Sequence, residues 1–66
     1  MEPLRLNNNK LVCYASVETG CVEIKESNRL VARFTLNPGE NFQREICGQI
    51  ITIARTEERQ FEIIAA

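Results

Sequence analysis

The chain has 66 residues, 44% of them apolar, with a formal net charge of −1 and a pI of about 5.3. That bounds it to a single domain over residues 1–66, too apolar to be disordered and without the positive excess that draws a protein to nucleic acid. With no histidine, no CxxC spacing and no apolar run approaching roughly 18 residues, it shows no cluster of zinc ligands, no histidine base and no helical membrane span.

Taken in chain order, Leu4-Arg5-Leu6 predicts a short strand and Asn7-Asn8-Asn9 the turn that ends it. Leu11, Cys13, Ala15 and Val17 then alternate with Val12, Tyr14 and Ser16, the period-two pattern of a half-buried strand. Thr19-Gly20 breaks it, and Val22 and Ile24 alternate with Glu23 and Lys25. Leu30, Ala32, Phe34 and Leu36 form the next inward set, with Val31, Arg33 and Thr35 outward. Matching the two inward sets puts Ile24 opposite Leu30 and Val22 opposite Ala32. That register predicts a Glu26-Ser27-Asn28 loop closed by Lys25 and Arg29, with Asn28 left-handed, since asparagine tolerates that conformation well.

Asn37-Pro38-Gly39-Glu40 matches a type II turn: proline fixes φ at the second position and glycine supplies a positive φ at the third. Ile50 to Ala54 and Gln60 to Ala65 supply two more alternating segments. The expectation is an all-β fold, a small antiparallel five-strand meander forming a barrel or sandwich, with a mini jelly roll as the variant.

Two family resemblances bear on that expectation. The order "SVETGCVEIKESNRLVARFTLNPGENF" resembles the front half of the double-stranded β-helix of cupins and cyclic-nucleotide-binding domains, which implies a jelly roll. The cupin metal ligands have no counterpart in a chain without histidine, and "QREICGQI" replaces the expected phosphate-binding segment. The segments "LVARF", "GENF", "IITIA" and "FEIIAA" are similar to the carbon-storage-regulator family of RNA-binding dimers, although 29 residues precede Leu30 here. Neither resemblance assigns the chain to a family.

Catalysis finds few candidates. Cys47 lies beside Gly48 and near Arg44, where a cation would favour the thiolate, but no base accompanies it. Glu57, Glu58 and Glu62 surround a predicted hairpin turn and read as a solvated face. Cys13, Cys21 and Cys47 cannot all pair with one another, have no CxxC spacing, and read as small packed thiols of a reducing compartment. The expectation is therefore a cytoplasmic protein that is not an enzyme, with no catalytic residue, no cofactor, no metal and no membrane partner.

Two surface features remain. Ile50-Ile51 and Ile63-Ile64 each put one isoleucine on either side of a sheet, so Val31, Ile50 and Ile64 are the candidate oligomer interface. Arg29, Arg33, Arg55 and Arg59 could form a stripe on two neighbouring hairpins and are the candidate RNA contacts. Interspersed glutamates and scarce aromatics weigh against the stripe. The first expectation is a homo-oligomeric regulatory or assembly module that associates with itself and with another protein. The alternative is an RNA-binding regulator.

Overall fold

The computed structural model describes residues 1–65. Seven strands follow one another: β1 (Glu2–Arg5), β2 (Leu11–Ala15), β3 (Cys21–Glu26), β4 (Arg29–Thr35), β5 (Asn41–Ile46), β6 (Gln49–Glu57) and β7 (Gln60–Ala65). They build two antiparallel sheets, ordered β1-β2-β3-β4 and β5-β6-β7, each a plain meander. The meander is as expected; the strand number is corrected from five to seven, and the barrel does not close. Neither sheet contains a crossover, so the connectivity is not that of a jelly roll.

The sheets share one core. Val12, Cys13, Ala15, Val22, Ile24 and Leu36 from the first meet Ile51 and Ile53 from the second, giving a four-on-three sandwich. Alternation places most of these residues; on β2 it fails, because Val12, expected on the face opposite Cys13, is buried beside it. Val22 and Ile24 face inward on β3 while Glu23 and Lys25 face out, where Glu23 pairs with Arg33 at 2.7 Å and the Lys25 ammonium lies 5.2 Å from the Tyr14 ring centroid.

The β3–β4 hairpin differs from expectation. Its loop is two residues, Ser27-Asn28, with φ of 51° and 64°, closed by Glu26 opposite Arg29. Asn28 is left-handed as expected, but Ser27 is too, which makes the turn type I′. A two-residue loop would by itself have brought Arg33 opposite Val22. A bulge prevents this: the register shifts between Ile24 and Lys25, so Ile24 faces Ala32, Val22 faces Phe34, and Arg33 stays outward opposite Glu23.

The corner from β4 to β5 carries the chain from one sheet to the other. Gly39 has φ 90° and the Glu40 amide donates to the Asn37 carbonyl at 2.9 Å, the type II turn that the sequence predicts. Phe34 and Phe42 pack across this corner with centroids 4.6 Å apart. β5 itself, which alternation did not reveal, continues into a second two-residue turn at Cys47-Gly48.

Candidate functional site

The outer face of the three-stranded sheet is built from the residues that alternate with Ile51 and Ile53. Ile50, Thr52 and Ala54 on β6 face outward; Thr52 lies opposite Ile64 and Gln43, and Ala54 opposite Glu62 and Asn41. Ile50 and Ile64 are thus diagonal neighbours across one strand pair, 43% and 51% exposed. Val31, the third candidate interface residue, is also exposed but sits at the bulge of β4 in the other sheet. The structure therefore brings Ile50 and Ile64 together and leaves Val31 apart, next to Leu30, which was expected inward but lies opposite the outward Lys25 because of the bulge and is 47% exposed.

The four arginines of the proposed stripe part company. Arg29 and Arg59 are exposed at hairpin turns, and Arg33 is held by Glu23. Arg55 is only 6% exposed. It shares the inward face of β6 with Ile51 and Ile53, and its Nη atoms donate to the backbone carbonyls of Leu36 (2.8 Å) and Glu58 (2.5 Å). Its backbone N–H donates to the Glu40 carbonyl and its own carbonyl accepts from Gly39. Arg55 is thus the clasp of the corner, spent on carbonyls and withheld from any phosphate. Gly20 leaves room for it: a Cβ there would overlap the Arg55 guanidinium and the Leu36 carbonyl oxygen.

A second arginine crosses the sandwich at the opposite end. Arg44 lies opposite Ile51 on the inward side of β5 and pairs with Glu26 of β3 at 3.1 Å. It lines an open cleft of about 370 Å³ with Lys10, Lys25, Glu26, Glu45 and Cys47. The Glu26 and Glu45 carboxylates offset two of the three cations there, and the Cys47 thiol is exposed at the turn. Cys13 is buried beneath, and burial pushes its thiol from 9.0 up to about 11, against a smaller lowering by Arg44. Among the described residues, no His, Cys, Asp or Glu group is clustered so as to hold a metal.

Another cleft, of about 470 Å³, lies beside β7 and is lined by Arg5, Leu6, Asn7 and Asn8 from the first sheet and its loop and by Gln49, Ile63, Ile64 and Ala65 from the second. Sequence reasoning assigned Asn7 to Asn9 to a turn, which they form: the Asn9 amide donates to the Leu6 carbonyl and the Lys10 amide to Asn8 Oδ1. Their meeting with β7 depends on how the sheets stack and has no local signal. Comparison with family models, with curated proteins and with solved structures finds no match. Among the described residues, no helix is long and apolar enough to cross a membrane.

Proposed function

We propose that the protein is a non-catalytic binding module that acts as a homo-oligomer, in a regulatory or assembly role exerted through protein–protein contacts. The observation that carries this reading is the balance of apolar side chains. Eight hydrophobic residues are buried, while Met1, Leu30, Val31, Phe42, Ile50 and Ile64 remain exposed. A chain this small buries only roughly 60% of its unfolded surface, so cover from a second subunit adds stability where its own core is thin. Ile50 and Ile64 lie on a sheet face and suit such a contact. A reducing compartment, the cytoplasm, fits three unpaired thiols, one of them exposed.

The RNA alternative has less support. Burial removes Arg55 from the stripe and Glu23 neutralises Arg33, which leaves Arg29 and Arg59 at two separate turns. The test is thermal melting over a hundredfold range of protein concentration, with wild type and Ile64→Glu compared. A melting temperature that rises with concentration in the wild type, and no longer does so in the variant, supports the reading. Concentration-independent melting of both proteins refutes it.

A further inference from the structure

Four strands lie at sheet edges: β1 and β4 in one sheet, β5 and β7 in the other. An edge strand offers unpaired backbone donors and acceptors, and proteins block unwanted pairing there with proline, bulges or inward-pointing charge. Three of the four edges carry such a device. β1 contains Pro3 and a register irregularity at Leu4/Arg5. β4 is bulged opposite Ile24/Lys25 and carries Arg29 and Arg33. β5 turns Arg44 inward. β7, with the sequence QFEIIA, has no proline, no glycine and no basic residue, and pairs regularly with β6 from Phe61 to Ala65.

We propose that β7 pairs antiparallel with β7 of a second copy, Ile63 opposite Ile63 on the two-fold axis, so that two three-stranded sheets become one of six strands. The inference rests on the self-association reading above and names the seam through which it occurs. The register follows from face and charge. Directly opposite residues share a face, so a symmetric antiparallel pair must be centred on a residue. Centring on Phe61 or Ile64 engages little of the strand. Centring on Glu62 sets like charges directly opposite, which is destabilising. Centring on Ile63 pairs Phe61 with Ala65 and Glu62 with Ile64, and covers Ile63, which one copy leaves half buried.

The same register sets Glu62 of each copy directly opposite Ile64 of the other on the outward face of the joined sheet, away from the first sheet, so the pairing buries no carboxylate.

The test is a charge series by sedimentation equilibrium, with Ile64→Glu, which sets a second carboxylate opposite Glu62 of the other copy, and the double variant Glu62→Lys/Ile64→Glu, which sets opposite charges there, both at exposed positions. Ile64→Glu alone is expected to weaken the dimer roughly two- to thirty-fold, as two exposed like-charge pairs imply, and the double variant to regain most of the loss. Hydrogen exchange supplies a readout independent of side chains: β7 amides are expected to gain protection as the protein concentration rises. A loss in Ile64→Glu that the double variant does not regain, with β7 amides exchanging alike at low and high concentration, overturns the edge seam while leaving self-association through the Ile50/Ile64 face. A dimer that survives Ile64→Glu unweakened, or a chain that remains monomeric, overturns both.

Discussion

Replacing Gly20 by alanine isolates the role of Arg55, because the chain supplies its own controls. Gly20, Gly39 and Gly48 have φ of 79°, 90° and 78°, so a side chain at any of them meets the same backbone penalty, about 1–2 kcal/mol. A Cβ at Gly39 or Gly48 meets nothing within 4 Å, whereas one at Gly20 runs into the Arg55 guanidinium and the Leu36 carbonyl oxygen. Loss of the Arg55–Leu36 hydrogen bond, a bond to a charged donor, adds about 1.5–3 kcal/mol. The expected total for Gly20→Ala is about 2.5–5 kcal/mol, against about 1–2 kcal/mol for each control. Domains of this length have a total stability of only about 3–10 kcal/mol, so Gly20→Ala should forfeit roughly a quarter of it or more. Urea midpoints at a fixed protein concentration measure the difference. Equal midpoints for the Gly20 and Gly39 variants would refute the clasp.

In the type I′ turn of β3–β4, Asn28→Gly should be neutral or mildly stabilising and Asn28→Val should cost about 1 kcal/mol or more; equal melting temperatures would contradict the left-handed assignment. Cys47, at φ 52°, should accept glycine with no loss of stability, and its thiol should react with an aromatic disulfide reagent well before the buried Cys13. The raised Cys13 pKa has a definite sign. The unfolded thiol loses its proton near 9.0 and the folded one near 11, so the contribution is intact below pH 9 and is lost as pH rises through that interval. The loss is about 2–3 kcal/mol and should appear as a difference in pH slope between wild type and Cys13→Ala. Purified wild type should carry no nucleic acid by absorbance ratio at low salt. Retained RNA that Arg29→Ala/Arg59→Ala releases would restore the RNA alternative.

Much of this fold is legible where alternation is purely apolar. Val22 and Ile24, or Ile51 and Ile53, declare their strands, and Asn37-Pro38-Gly39-Glu40 declares its turn. β5 escaped notice because its inward set is Phe42, Arg44 and Ile46, with a cation where the pattern asks for a hydrophobe. Arg55 escaped for the same reason, although its spacing from Ile51 and Ile53 was the available signal. In both cases the head group is held by the opposite sheet or the corner: Arg44 pairs with Glu26, and the Arg55 Nη atoms donate to the Leu36 and Glu58 carbonyls while its buried Nε has no partner among the described residues. The two-residue β3–β4 loop was missed because counting residues between inward sets cannot distinguish a longer loop from a bulge. The outward choice within each isoleucine pair did follow from alternation, and Ile50 and Ile64 are exposed. Their adjacency, and the separation of Val31 from them, came from strand order. The cleft shared by Arg5 and Ile64 needed the stacking of the sheets.

Self-association is the central claim, and sedimentation equilibrium of the wild-type protein from low to high micromolar concentration tests it most directly. The account predicts a reversible shift from the 7.5 kDa chain to twice that mass, with the dimer prevailing at the upper end. A single species at 7.5 kDa across the whole range would contradict it.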